Sequence, residues 1–441
     1  MIKKLLLITA AIFSVGISAD ELNSGDTAWI LTSTALVLFM TLPGLSLFYA
    51  GLVRSKNAIS VLMQCFAIAC IVSVAWVVYG YSLAFTEGNA FIGGTSAFFL
   101  SGIGRDTLAP GTTMPHSLFV IFQMTFAIIT PALVVGAFAE RMKFGAMCLF
   151  SLLWFTAVYI PACHMIWGGG YLGDVKDFAG GLVVHLTCGV GALVIAVVLG
   201  PRKGFPSTAM PPHNRTMVVT GAAMLWVGWF GFNAGSALTS GALPANTALV
   251  THLASSVSAL IWVGFSWMRT GKPSIVAGIN GAIAGLAGIT PASGFVSVEH
   301  AFVIAIAIGV FSYGGVVLIR DKLKIDDALD VSSVHGIAGI VGALAIGIFA
   351  SAAIGGVDGW LYGNPDQLWI QAVGIGVAAV LGFGGTWLIL QVMKRTIGIR
   401  VDKEIEDLGL DLGEHGEAAY ADEEEFRLTP DDYLKKESQE K

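Results

Sequence analysis

The chain has 441 residues, of which 55% are hydrophobic and only 12% are charged. A soluble domain of ordinary composition has about a quarter of its residues charged, so this composition and the mean hydropathy of +0.77 exclude a water-soluble globular protein. The net charge of −6 comes largely from the residues after Lys394, with their acidic run 422–425, and the balanced remainder excludes a basic nucleic-acid surface.

The first 19 residues are typical of a secretory signal. Lys3 and Lys4 precede an apolar core from Leu5 to Val15, and the small residues Ser18 and Ala19 follow it. The alternative is a short first transmembrane helix, but a core of about 11 residues falls short of the roughly 20 needed to cross a bilayer. We therefore predict that residues 1–19 are a signal peptide.

Stretches without Asp, Glu, Lys or Arg predict the membrane spans within a transmembrane domain over 20–393. The stretch 216–268 is too long for one helix, and it breaks in the polar segment from Asn233 to Asn246. We predict eleven spans, located at 27–53, 57–86, 107–139, 144–173, 178–201, twice within 216–268, and at 273–298, 300–319, 331–357 and 367–393. Segment 88–104 is also uncharged, but it is short and rich in Gly and Ser.

The distribution of Lys and Arg decides between eleven and twelve spans. With eleven spans and an outside N-terminus, only Arg105 and Lys176 fall outside. A twelfth span at 88–104 would place more Lys and Arg residues outside, so the positive charge would be less concentrated on one side. We therefore predict a multi-pass protein of the inner (plasma) membrane with its C-terminal tail, 394–441, in the cytoplasm. The positive residues then on the cytoplasmic side are Arg54, Lys56, Arg141, Lys143, Arg202, Lys203, Arg215, Arg269, Lys272, Arg320, Lys322 and Lys324.

Two segments 150 residues apart share one pattern. Asp177 precedes His185 by eight residues and Asp327 precedes His335 by eight, and a glycine-rich stretch follows each His. They occupy spans five and ten, and because five is odd, two five-span copies run in opposite directions. We predict an all-α polytopic membrane protein with eleven transmembrane helices. They form two inverted five-helix repeats, about 27–200 and about 216–357, and one extra helix at about 367–393.

Antiparallel copies of this element bring His185 and His335 together near the pseudo-twofold axis. Ionisable side chains inside a membrane usually face a partner or a cavity. Two adjacent imidazoles can share one proton while their outer nitrogens face a lumen. The alternative is that each His bonds a nearby carbonyl in a helix contact. Asp177 and Asp327 are predicted N-caps of spans five and ten.

At these residues the chain resembles the ammonium transporter family (the Amt/Mep/Rh group), and specifically its bacterial Amt branch. The resemblance covers essentially the whole mature chain, including the tail segment GLDLGEHGEAAY at 409–420. Its other motifs are TALVLFMT at 34–41, GAFAER at 136–141, HMIWGGG at 164–170, DFAGG at 177–181, GWFGFNAGS at 228–236 and DVSSVHG at 330–336.

The resemblance implies a homotrimeric transporter or channel for ammonium or ammonia, with one pore per subunit, no cofactor and no enzymatic activity. It also implies that a PII-type regulatory protein can bind the cytoplasmic face. The site residues that it implies are Trp167, Phe122 and Ser236 for recruitment, Phe126 and Phe232 as stacked rings below them, His185 and His335 in the pore, and Asp177 in support of the outer site.

Elementary chemistry agrees with these roles. An aromatic cage attracts a cation by about 0.5–2 kcal/mol, and a serine oxygen accepts one of the four N–H groups of ammonium. A bare ammonium ion is poorly tolerated in an apolar lumen, so loss of its proton before or during passage is favoured. The sequence is equally consistent with ammonia passing alone and with ammonia and a proton moving separately.

Two other classes of function remain as alternatives. The first is an ammonium sensor whose tail signals to a partner. The second is an intramembrane enzyme or metal transporter that uses the histidines, and it is weak because the chain has no GxSxG, HExxH or P-loop motif and no cluster of metal ligands on one helix. The five cysteines form no CxxC motif and are interpreted as packing residues.

Overall fold

The computed structural model describes residues 21–420, so the predicted signal peptide and the tail after residue 420 lie outside it. Ten helices have the length and apolar composition of membrane spans, and Ile275–Ile289 is a shorter apolar helix. The prediction of eleven spans is confirmed. The helices are α1 Ser24–Leu52, α2 Ser55–Phe85, α3 His116–Phe138, α4 Phe144–Trp167, α5 Gly181–Leu199, α6 Arg215–Ala234, α7 Ala242–Thr270, α8 Ile275–Ile289, α9 Val298–Lys322, α10 Ser332–Phe349 and α11 Asp366–Thr396.

The connections add only short helices. Within 21–420 there is no β-strand, only isolated bridging pairs such as Gly88 with Gly93. Segment 88–104, the alternative twelfth span, forms no long helix. The short helices are Phe98–Leu100, Ala352–Gly355, Trp360–Tyr362, Lys403–Leu408 and Asp411–His415.

Polar side chains fix where several spans begin. Asn23 accepts a backbone N–H at the start of α1, and Asn214, Ser274 and Ser297 do the same for α6, α8 and α9. Each bond satisfies one of the amides that the first turn of a helix leaves without an intrahelical partner. The helix boundaries therefore follow from local residue choices as well as from hydropathy.

Helices α5 and α10 contact each other closely, through positions that the inverted repeat relates. A β-carbon built on Gly189 would lie 2.3 Å from Gly336 Cα, and one built on Gly339 would lie 3.5 Å from Leu186 N. The two copies are 150 residues apart, so Gly189 of the first corresponds to Gly339 of the second, and Leu186 of the first to Gly336. The two contacts are therefore equivalent under the repeat. Glycine permits this close approach of two backbones. The two repeats therefore contact each other next to the two histidines.

Buried ion pairs join the loops at one end of the bundle, which we call the charged end. Arg202 bonds Glu140 at 3.0 Å and Asp326 at 2.8 Å, and Arg54 bonds Glu140 at 3.0 Å. Burial opposes ionisation of Glu140, but the neighbouring guanidinium groups outweigh it and lower the pKa of this carboxyl. The pairs connect the α1–α2, α3–α4, α5–α6 and α9–α10 loops, which all carry positive residues predicted to be cytoplasmic.

The tail folds back onto the charged end. Asp411 accepts the backbone amides of Ile59 at 3.0 Å and Ser60 at 2.8 Å, in the first turn of the α-helical part of α2, which begins at Ala58. Glu414 accepts the amide of Phe144, the first residue of α4, at 2.8 Å. Carboxylates are the favoured partners of helix N-termini. The tail therefore completes the starts of two membrane helices.

Candidate functional site

A cavity of ≈ 360 Å³ opens at the other end of the bundle, where α4 ends and α5 begins. Four of the predicted site residues line it, namely Phe126, Trp167, Asp177 and Ser236. We call it the aromatic cavity. Because its lining combines aromatic rings with few polar groups, it can take a small cation or a small polar solute.

Phe122 is not part of the cavity lining. It is fully buried, and its ring meets that of Phe126 edge-on with centroids 5.1 Å apart. Phe119 and Gln123 of the same helix line the cavity instead. All four side chains share one face of α3 by their i, i+3, i+4 and i+7 spacing, so spacing alone does not distinguish those that reach the cavity.

Asp177 builds the start of α5. One carboxylate oxygen accepts the amides of Gly180 and Gly181, and the other accepts those of Leu182 and Val183, at 2.6–3.1 Å. The predicted capping role is therefore observed, and four donors occupy both oxygens. Its backbone carbonyl accepts the indole N–H of Trp167 at 2.8 Å. Asp177 thus positions Trp167 through its main chain while its carboxylate holds the helix.

Ser236 contributes a hydroxyl with free acceptor capacity. Its O–H donates to the carbonyl of Phe232 at 2.8 Å. A hydroxyl has one proton to donate and two lone pairs, so the oxygen can still accept a hydrogen bond from a solute in the aromatic cavity. Ser236 stands on the turn that follows α6, four residues after Phe232.

Two stacked rings close the floor of the cavity. The Phe126 and Phe232 centroids are 4.3 Å apart with an interplanar angle of 25°, and both side chains are at most 1% exposed. The Trp167 ring meets Phe126 edge-on at 6.0 Å. Behind them the Phe232 ring lies 5.8 Å from that of His185. The stack therefore separates the cavity from the histidines.

The structure brings the two histidines together. His185 Nδ1 lies 3.3 Å from His335 Nδ1, and the two side chains are 1% and 2% exposed. Each lies in a π-helical turn, Gly181–Leu186 or Ser332–Ile337, a distortion often found at functional sites. One proton can bridge the two nitrogens, with one ring donating and the other accepting. His185 Nε2 is buried and has no hydrogen-bond partner within residues 21–420.

Trp229 is a site residue that the sequence analysis missed. Its ring stacks on His185 with centroids 5.5 Å apart, and its indole N–H donates to Thr290 at 3.0 Å. Its spacing could have identified it, because Trp229 precedes Phe232 by three residues in the motif at 228–236, which puts both on one helix face. The indole fixes one face of the His185 ring.

The two related aspartates differ in their partners. Asp327 accepts one amide, that of Ser332 at 2.6 Å, while its other oxygen is buried without a partner in the described part of the chain. Burial and the nearby Asp330 raise the pKa of Asp327 to about 6. Asp330 pairs with Arg320 at 3.1 Å and lines a second cavity of ≈ 510 Å³. This cavity lies at the charged end, near the start of the helix that carries His335.

The described residues offer no metal site. Across 21–420, no group of three or more His, Cys, Asp or Glu side chains lies close enough to hold a metal ion. The five cysteines are free thiols. The chemistry of this site therefore lies in its aromatic rings, hydroxyls and imidazoles.

Comparisons with known proteins agree on one family. The sequence model described as Ammonium Transporter Family matches residues 28–420. The chain is 45% identical over 405 residues to an ammonium transporter of Bacillus subtilis, covering 91% of this chain and 100% of that protein. It is 44% identical over 418 residues to an ammonium transporter of Aquifex aeolicus, covering 94% and 98%.

Solved structures share the fold. The crystal structure of Candida albicans Mep2 matches with a TM-score of 0.81 at 35% identity, covering 87% of this chain and 88% of that one. A sensor Amt protein matches with a TM-score of 0.82 at 29% identity, covering 89% and 98%. Both likenesses cover more than four fifths of this chain.

Proposed function

Because this chain belongs to the ammonium transporter family, we propose a route by which it carries ammonium nitrogen through the bundle. The aromatic cavity faces the outside and recruits ammonium. Trp167 and the other rings supply cation–π attraction of about 0.5–2 kcal/mol. Ser236 supplies a directional acceptor for one N–H group, which a potassium ion cannot use in the same way. Phe122 acts by supporting the Phe126 ring, in keeping with its buried position.

The stacked rings of Phe126 and Phe232 form the barrier through which the solute passes. Transfer of an unpaired ammonium ion into an apolar passage costs far more than the attraction of the aromatic cavity returns. The ion therefore gives up its proton to water in the aromatic cavity, and ammonia enters the passage between the rings, with or without separate movement of that proton. His185 and His335 line the passage beyond the rings, with Trp229 packed on His185.

The observation that carries this proposal is the contact between the two imidazoles. Their Nδ1 atoms lie 3.3 Å apart behind the phenylalanine stack. A shared proton fixes both rings, which leaves the outer nitrogens free to bond a passing solute. Such a pair in a dry passage favours a small hydrogen-bonding molecule over a hydrated metal cation.

The test is a current recording on reconstituted protein with ammonium against potassium at several pH values. We expect His185→Ala and His335→Ala to change the transported species or to change the rate by about tenfold, the equivalent of one lost hydrogen bond. The control is His300→Ala, because His300 lies on α9 against Phe349 and lines neither cavity. Unchanged rate and selectivity in both pore variants would refute the role of the pair.

The setting of the protein completes the proposal. We assign residues 1–19 as a cleaved signal, the aromatic cavity to the outside, and the charged end with its tail to the cytoplasm of a cell bounded by an inner membrane. The positive residues collected at the charged end support this orientation. Protease cleavage of the tail in right-side-out and inside-out vesicles tests it, since only inside-out vesicles should expose the tail.

We further propose a homotrimer and a PII-type regulatory protein as the cytoplasmic partner. The docked tail supports the second assignment, because it presents a folded surface at the charged end. Native mass spectrometry of the purified protein tests the trimer. Co-purification with a PII-type protein, with and without residues 403–441, tests the partner. The acidic extension after residue 420 is predicted to be dispensable for it.

An ammonium sensor is the second candidate function. The likeness to a solved sensor Amt protein favours it. Methylammonium uptake in a strain that lacks its own transporters discriminates between the two, because a sensor that transports little gives no uptake. Robust uptake identifies transport as the primary activity.

A further inference from the structure

The motif HMIWGGG at 164–170 contains a histidine that the proposed function does not use. His164 is 2% exposed, although it lies near the end of a membrane helix. Its Nδ1 lies 3.0 Å from the carbonyl oxygen of Ala84, and its Nε2 lies 2.9 Å from that of Asn89. Both acceptors belong to another part of the chain, the end of α2 and the loop behind it. In its neutral form the ring donates to one of them, and with both nitrogens protonated it donates to both.

The loop that His164 contacts is a tight hairpin over residues 86–94. Gly88 and Gly93 pair across it, and the side chain of Asn89 accepts two backbone amides of the turn. The hairpin therefore has its own internal hydrogen bonds. A rigid hairpin transmits the position of one end to whatever its other end contacts.

The glycines of the motif bring this hairpin close to the end of α4. A β-carbon on Gly168 would lie 2.0 Å from the carbonyl oxygen of Ala84, and one on Gly170 would lie 2.8 Å from that of Ala90. The amide of Tyr171 donates to the same Ala90 carbonyl at 2.8 Å. Contacts of this kind leave no room for a side chain. The residues on both sides of Trp167 are thus fixed to the hairpin.

We propose that His164 is a positioning residue for ammonium recruitment, a role that rests on the proposed function of Trp167. It fastens the hairpin to α4 one turn before Trp167, while the carbonyl of Asp177 holds the indole N–H on the other side. Phe85, the residue after Ala84, lines the same cavity. His164 therefore sets the spacing between two aromatic walls of the aromatic cavity without touching the solute.

The experiment measures the concentration dependence of methylammonium uptake for His164→Leu, Trp167→Leu and the double variant. Loss of the tryptophan should raise the half-saturating concentration by about two- to thirtyfold, the range of a cation–π contact. His164→Leu should raise it by a smaller factor and leave the maximal rate unchanged. His164→Gln keeps an N–H donor and should restore most of the affinity. It also replaces His164→Leu as the test variant if the leucine variant does not reach the membrane. His300→Leu is the matched control.

The double variant separates positioning from general stability. If His164 acts through Trp167, the double variant should have the same half-saturating concentration as Trp167→Leu alone. Equal effects of His164→Leu with and without the tryptophan, or a fall in the maximal rate alone, would overturn the positioning role. If Trp167→Leu itself leaves the half-saturating concentration unchanged, the recruitment proposal fails instead, whatever the histidine does.

Discussion

Asp177 offers a decisive substitution, because its carboxylate accepts four backbone amides at the start of α5. Asp177→Asn keeps the size but replaces one oxygen with an NH₂ group that faces the amides of Leu182 and Val183, or those of Gly180 and Gly181. Two hydrogen bonds to a charged acceptor are lost, at about 1.5–3 kcal/mol each. The expected cost is about 3–6 kcal/mol, before relaxation, against a typical net stability of 5–15 kcal/mol.

The assay is thermal unfolding of the purified protein in detergent, with uptake measured on the same preparations. We expect a clearly lowered unfolding temperature together with weak uptake, because the Asp177 carbonyl also holds Trp167. Asp174→Asn is the matched control, since Asp174 is an exposed aspartate three residues earlier. Asp327→Asn is the control at the related position of the second repeat; its amide oxygen can still accept the one amide that Asp327 accepts, so it should cost less than about 1 kcal/mol.

One result would refute this reasoning. If Asp177→Asn unfolds at the temperature of the unmodified protein while its half-saturating concentration rises, the carboxylate acts directly on the cation and the capping bonds contribute little. Equal destabilisation by Asp177→Asn and Asp327→Asn would also contradict it, because the two carboxylates accept four amides and one.

Two further predictions concern the charged end. The pKa of Asp327 is raised to about 6 in the folded protein from an ordinary 3.8, so the folded state holds the proton more tightly and stability should fall as pH rises from about 4 to 6, by at most roughly 3 kcal/mol. Asp327→Asn should flatten this part of the profile of unfolding temperature against pH, and an unchanged slope would contradict the assignment. Arg202→Met leaves Glu140 and Asp326 short of a buried partner and should cost about 3–5 kcal/mol of stability; the exposed Lys203→Met is its control, and equal unfolding temperatures would contradict the prediction.

The eleven helices and their pairing could be predicted from the sequence. Charge-free stretches locate the spans because a bilayer excludes unpaired charges, and the eight-residue spacing from Asp177 to His185 and from Asp327 to His335 marks the inverted copies. The proximity of the two histidines then requires only that both copies of this element lie near the pseudo-twofold axis. The fold could therefore be predicted from the hydropathy of single stretches and from one short pattern that occurs twice in the sequence.

The details of the aromatic cavity could not be predicted in this way. Phe119, Phe122 and Phe126 occupy one helix face, and only packing against other helices decides which ring reaches the cavity. The contrast between Asp177 and Asp327 is hidden in part for the same reason: the shared spacing to His marks both residues, but the number of amides that each carboxylate accepts depends on how its loop folds. The role of His164 depends on a hairpin 75–80 residues away in sequence. Long-range packing, unlike hydropathy, leaves no mark within a single motif.

The docked tail has a consequence for any protein that acts on this face. Asp411 and Glu414 accept backbone amides near the starts of α2 and α4. When the tail dissociates, those amides lose their acceptors. A displacing partner that brings acidic or carbonyl groups of its own to the same positions replaces the lost acceptors; otherwise the amides donate to water. Release of the tail is therefore an exchange reaction, whose equilibrium depends on the competitor's concentration and on salt.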